Sequence, residues 1–142
     1  MSDPATAQSV QDCFSIKLKI YYEDTDLSGV VYHANYLKFF ERARTDWVRA
    51  KGLIQDQMLS QKGLAFTVAD IQLQFKIPAR LDDELTITVA PTDIRRASIV
   101  FDQEAWRGDQ CLATARVRVA CVDVRNFRPR SVPVVLSPGR NP

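Results

Sequence analysis

The chain has 142 residues, a formal net charge of +2 and three cysteines. That length suits one domain with a sizeable core, and a charge so near balance excludes the basic footprint of a nucleic-acid-binding protein. No apolar run approaches the roughly 18 residues of a membrane span, the polar N-terminus lacks the apolar core of a secretory signal, and an odd cysteine count without such a signal points to a reducing cytoplasm.

In chain order, residues 1–14 read as a flexible tail, 15–127 as the folded domain and 128–142, rich in proline, as a C-terminal tail or edge segment. Ile16, Leu18, Ile20 and Tyr22 alternate with Lys17, Lys19 and Tyr21. That period of two predicts a strand with one buried face. A loop follows, holding three acids within four residues (Glu23, Asp24 and Asp26), Gly29, and the only histidine, His33. From about Ala34 to Lys51, Tyr36, Phe40, Ala43, Trp47 and Ala50 recur at helical spacing. Leu37, Phe39 and Val48 widen this stripe, so the helix should be deeply covered. Gly52 stands where a left-handed cap would end it.

Leu53 to Gln61 predicts a short second helix and Lys62-Gly63 a turn. Ala65 to Ile77 reads as a strand stopped by Pro78. Arg80-Leu81-Asp82-Asp83 is turn-like, and Leu85, Ile87 and Val89 alternate in a third strand. Arg95-Arg96 connects it to a fourth, about Ala97 to Trp106. Arg107-Gly108-Asp109 makes a turn into the last strand, Gln110 to about Val124. There Cys111, Ala113, Ala115, Val117, Val119 and Cys121 share one face. Strand, helix, then four strands on hairpin-length links predict an α+β domain, one helix covering an antiparallel sheet.

Cys13, Cys111 and Cys121 lack paired metal-ligand spacing. On one extended strand Cys111 and Cys121 lie about 30 Å apart, too far for a disulfide. Asp24 to Gly29 matches the first half of an EF-hand calcium loop. However, Asn35 at the twelfth position offers no bidentate carboxylate, and a strand precedes it where an EF-hand needs a helix. No metal is expected. Ser28-Gly29 lacks the earlier glycine of a nucleophile elbow, and there is no phosphate loop or dinucleotide fingerprint.

The first N–H groups of a helix lack internal partners and carry the positive end of its dipole. A carbonyl oxygen gaining negative charge is stabilised there. Asp26, just upstream, is placed to be a nucleophile or a base for water in acyl transfer. Acids before a helix also serve as caps and turn formers, and a lone histidine there is often structural.

The run Tyr22-Glu23-Asp24-Thr25-Asp26, then Gly29-Val30-Val31-Tyr32-His33-Ala34-Asn35-Tyr36 and Phe40-Glu41-Arg42-Ala43-Arg44, resembles the 4-hydroxybenzoyl-CoA thioesterase family of hotdog-fold proteins. Within that family it is most similar to the acyl-CoA thioesterases associated with the Tol-Pal envelope system. The likeness spans about Ile16 to Val124. It implies a long central helix wrapped by a five-stranded antiparallel sheet, active sites formed between subunits of a homodimer or homotetramer, and acyl-CoA hydrolysis without a cofactor. The family's catalytic aspartate falls on Asp26, and the histidine of the Tol-Pal-associated members falls on His33, whose backbone N–H would polarise the thioester carbonyl. Arg95 and Arg96 match a basic pair that holds coenzyme A phosphates, a role suited to planar guanidinium forks. Tyr22 and Glu41 are supporting candidates. The resemblance also raises acyl carrier protein or Tol-Pal-linked partners and a peripheral position at the inner membrane. The alternative is a non-catalytic or weakly active module that binds an acyl group or acyl carrier protein and acts through envelope-assembly partners.

Overall fold

Five segments alternate apolar and polar side chains, and each becomes a strand of one antiparallel sheet. The computed structural model describes residues 13–137. The strands are β1 (Phe14–Lys19), β2 (Leu64–Phe75), β3 (Glu84–Ile94), β4 (Ser98–Arg107) and β5 (Gln110–Asp123), in the order β1-β3-β4-β5-β2. The long helix α1, Asn35–Ala50, crosses one face. Leu85, Ile87 and Val89 of β3, Ile99 and Phe101 of β4 and Val117 of β5 meet Phe39, Phe40, Ala43 and Trp47 of α1 in one buried cluster. The Trp47 and Phe101 rings meet edge to face at 5.4 Å. This is the α+β hotdog arrangement the sequence led us to expect.

The buried stripe of α1 differs from the expected one at three places. Leu37 and Ala50 are exposed, while Arg44 is buried. Periodicity locates the centre of an apolar face well, but its margins depend on how far the sheet curls around the helix. The helix ends in a Schellman cap: Gly52, at φ 95°, donates to Arg49 and Leu53 donates to Val48. The short second helix is a single turn, Gln55–Gln57, continued by a wider π-turn to Lys62.

In β5 a bulge changes the predicted face. Ala105 pairs with Ala113, but Trp106 pairs with Cys111, so Leu112 is the extra residue. Leu112 is fully buried and its carbonyl accepts from Lys76 and Ile77, whereas Cys111 is only half-buried. Among the described residues no disulfide joins Cys13, Cys111 and Cys121.

Residues 128–137, expected as a tail or edge segment, lie against the sheet. Arg130 N–H donates to Cys121 and Val132 N–H donates to Arg96, and Val132 and Leu136 are buried. Residues 1–12 and 138–142, the rest of both expected tails, lie outside the described residues.

Edge strand β2 has one side unpaired by any strand among the described residues over its 12 residues, and its Val68 and Phe75 are about half exposed, at 49% and 52%. A long edge with apolar side chains is a template for another strand.

Candidate active site

The loop between β1 and α1 is built mostly by its own backbone. Thr25 bridges Val31, Asp26 N–H donates to Val30, and Gly29 N–H returns to Asp26 at 3.0 Å, closing a tight turn. Gly29 takes φ +83°, which a residue with a Cβ adopts only with strain. Val31 N–H donates to Ala79 and Val30 bridges Arg80, tying the loop to the β2–β3 connection. The Asp24 carbonyl accepts from Tyr32 N–H and Asn35 Nδ2, both at 2.9 Å, and its carboxylate caps Tyr21 N–H. Asp24 is therefore committed to holding the loop on the helix.

Asp26 is different. It is exposed, and among the described residues only one of its carboxylate oxygens, Oδ1, is engaged. Ser28 donates both its N–H and its hydroxyl to that atom. These two bonds, with a smaller contribution from His33, hold the Asp26 carboxyl below the usual aspartate range. The carboxylate is thus ionised near neutral pH, and Oδ2 has no protein partner among the described residues. Ser28 was not singled out from sequence. Its Asp-x-Ser spacing, which favours a side-chain turn, was the available signal.

The start of α1 refines the expected anion site. The N–H groups of Asn35, Tyr36 and Leu37 are already used in turn bonds to the carbonyls of Tyr32, His33 and Ala34. The backbone N–H groups of His33 and Ala34 have no acceptor among the described residues. The open N–H groups at the positive end of the helix are therefore those of the two residues just before its first residue, Asn35. The His33 ring is exposed and packs beside Tyr32 (centroids 4.6 Å) and Phe75 (6.3 Å).

Tyr22 was expected on the buried face of the first strand. That strand ends at Lys19, and the 3-10 turn Tyr22–Asp24 rotates the ring outward to 82% exposure. There it lines a surface depression with Thr25, Asp26, Leu27, Gly29 and Leu81. Glu41 is exposed on α1 and accepts from the Thr45 hydroxyl at 2.8 Å, one turn on.

Arg95 and Arg96 sit on the β3–β4 turn. Arg95 Nε donates to Asp93 at 3.2 Å, and Arg96 Nη1 donates to the Ser131 hydroxyl. The structure does not bring them to Asp26 within one chain. The Asp26 loop rests on Ala79 and Arg80, just before β3, and the arginines follow its other end. The 11 residues of β3 separate the two, about 30 Å along an extended strand. Among the described residues no group of three His, Cys, Asp or Glu is placed to hold a metal ion, and no helix is long and apolar enough to cross a membrane.

Comparison with known proteins adds to this geometry. The family model described as the thioesterase superfamily matches residues 28–114. A protein of Haemophilus influenzae named acyl-CoA thioesterase YbgC is 42% identical over 120 residues, covering 84% of this chain and 88% of that protein. One of Escherichia coli O157:H7 named acyl-CoA thioester hydrolase YbgC is 40% identical over 121 residues, covering 84% and 90%. Among solved structures, a probable thioesterase from Bartonella henselae superposes with a TM-score of 0.80 at 34% identity, covering 84% of this chain and 98% of that one.

Proposed function

This chain belongs to the thioesterase superfamily, and from that premise we propose that it hydrolyses acyl-CoA thioesters to the free acid and coenzyme A, with Asp26 as the reacting carboxylate. The observation that carries the reading is the pairing of an exposed carboxylate, ionised and oriented by Ser28, with the two open N–H groups of His33 and Ala34 a few residues on. One group supplies negative charge to the carbonyl carbon. The others stabilise the oxygen that becomes negative.

Two routes use the same groups. In one, Asp26 Oδ2 adds to the carbonyl carbon, the C–S bond breaks, the thiolate takes a proton from solvent, and water hydrolyses the resulting anhydride. In the other, Asp26 takes a proton from water as the water oxygen adds to the carbonyl carbon; the tetrahedral adduct then collapses, the C–S bond breaks, and the thiolate takes up the proton. The hydrogen bonds that hold the carboxylate below the usual range make it a weaker base and a weaker nucleophile alike, so both routes remain open. Single turnover in oxygen-18 water distinguishes the routes, since only direct attack leaves label in the protein.

The distance from Asp26 to Arg95 and Arg96 supports a site shared by two copies. Two β2 edges paired antiparallel about an axis near Asp70 and Ile71 would set Phe75 of one copy across from Phe66 of the other. Phe75 packs near His33. Phe66 lies at the end of β2 that pairs with Cys121, near Ala97 and the arginine turn. One copy's Asp26 loop would then approach the other copy's Arg95 and Arg96, whose guanidinium groups suit the phosphates of coenzyme A.

The test is thiol release from short, long and aromatic acyl-CoAs by the wild type and by Asp26→Asn. Release by the wild type that is lost in the variant supports the reading. Release undiminished in Asp26→Asn sinks the role of Asp26, and no release from any substrate sinks the function.

A further inference from the structure

A cavity lies between the second half of α1 and the inner faces of β2, β4 and β5. Val48, Phe66, Val68, Ile99, Phe101 and Val119 form its apolar wall. Arg44, with 9% of its surface exposed, is buried beside it and lines it. The guanidinium has one hydrogen bond among the described residues, from Nη1 to Gln103 Oε1 at 2.9 Å. It has no carboxylate within ion-pair distance there.

That single bond is forced by the fold. Gln103 is itself buried, and its Nε2 donates to the carbonyls of Phe40 at 3.0 Å and Thr88 at 3.3 Å. The amide is thereby fixed with its oxygen toward Arg44. Gln103 holds the arginine in place but brings no charge. A buried cation without an anion is costly, and burial pushes the Arg44 pKa down, partly opposed by Glu41. Glu41, one turn before Arg44 and also lining the cavity, is exposed and engaged by Thr45. The remaining N–H groups of Arg44 have no acceptor among the described residues, beside a pocket whose lining joins that apolar wall to the polar Glu41, Thr45 and Gln55.

We propose that Arg44 is a specificity determinant: the cavity receives the acyl group, and Arg44 selects those ending in a carboxylate, the CoA thioesters of short dicarboxylic acids. This rests on the acyl-CoA thioesterase reading and on its paired β2 edges, which would set the second copy's Asp26 loop at the mouth of the cavity. The size agrees. A volume of ≈ 100 Å³ is somewhat smaller than a cavity that admits benzene, enough for a short chain and its terminal carboxylate. A carboxylate there would give Arg44 its missing anion through two parallel bonds.

The test uses isosteric pairs: malonyl-CoA against isovaleryl-CoA, and glutaryl-CoA against 5-methylhexanoyl-CoA. The readout is the ratio of kcat/KM within each pair. The wild type should favour the carboxylate member. Arg44→Gln should lower the ratio about ten- to a hundredfold, the range for a hydrogen bond to a charged group, while Arg44→Lys keeps part of it. Thermal unfolding of each variant checks folding. A second variant, Glu41→Gln, alters an exposed side chain and removes the nearby negative charge, so it should raise the ratio several-fold. If Arg44 only holds the core together, the ratio will be unchanged in Glu41→Gln, and Arg44→Gln will lower both members alike. Either result overturns the inference, as does a wild type that hydrolyses the neutral members as well or better. Absence of hydrolysis with every substrate overturns the thioesterase reading, and this inference with it.

Discussion

Ser28 donates its backbone N–H, at 2.8 Å, and its hydroxyl to the same carboxylate oxygen of Asp26. Both donors sit on Oδ1, so the carboxyl group is oriented by one oxygen and presents the other. If Asp26 attacks the thioester or takes a proton from water, Asp26→Asn will lower kcat by at least about a hundred- to ten-thousandfold, the range for a positioned acid–base group. Ser28→Ala should cost less in turnover but change the pH profile. Both donors favour the ionised carboxylate; the variant keeps the backbone N–H but removes the hydroxyl, the larger of the two influences, so the carboxyl pKa rises. The acid limb of the kcat/KM profile in Ser28→Ala should therefore move to higher pH. An acid limb that stays in place would show that Ser28 serves only the loop.

The His33 backbone N–H is available whatever side chain the residue carries. If that N–H alone polarises the carbonyl, His33→Ala will lose much less activity than Asp26→Asn. Equal losses in steady-state kcat would give the imidazole a role of its own.

If, as proposed, the site is shared by two copies, a prediction follows that a single-chain site does not make. Asp26→Asn and the double variant Arg95→Ala with Arg96→Ala are each impaired at both sites of a dimer. After unfolding and refolding them together in equal amounts, half of the dimers should be mixed, and each mixed dimer should hold one intact site. Activity at low substrate concentration should then rise to about a quarter of the wild-type value, the statistical expectation for random isologous pairing. No rise on mixing would place both groups in one chain's site and remove the shared-site arrangement.

Asp123 is buried at the end of β5 and bonded by Arg125 and Arg130. Hydrogen bonds from Arg125, ahead of the nearby arginine charges, lower its carboxyl to about 2. The folded value is below the unfolded one, roughly 3.9. This group therefore contributes stability above about pH 4 and loses it as the pH falls toward 2. Asp123→Asn should be less stable than wild type in urea unfolding at pH 7. The gap should close between about pH 4 and 2. A gap that does not change with pH would mean packing, not charge, holds this corner.

Gly52 adopts φ +95° in the cap of α1, with open space where a Cβ would stand. Gly52→Ala therefore costs backbone strain alone, about 1 kcal/mol. Thermal denaturation should show a correspondingly lower Tm; an unchanged Tm would mean that the cap does not need the glycine.

Much of this molecule is legible in local pattern. Period-two alternation located all five strands, and the stripe from Tyr36 to Trp47 located α1, because one buried face imposes its spacing on the chain. The acids, glycine and histidine of the Asp26 loop were also visible, since they are close in sequence. Tyr22 was misjudged because alternation continued past the point where the backbone turned. Cys111 was placed on the shared face of the last strand because a one-residue bulge leaves no mark in the pattern.

The sequence by itself determined the elements, their buried faces and the candidate acid at the start of the helix. These are consequences of neighbouring residues, for which spacing along the chain is spacing in space. Only the tertiary structure decided which acid of the loop is committed to the backbone and which is presented. It alone showed that Arg95 and Arg96 stand at the opposite end of the sheet from Asp26. It also joined Arg44 to Gln103, 59 residues later, through a single buried bond. Such relationships depend on strand order and on the path of α1 across the sheet, because groups distant in sequence meet only where the packed sheet and helix set them side by side.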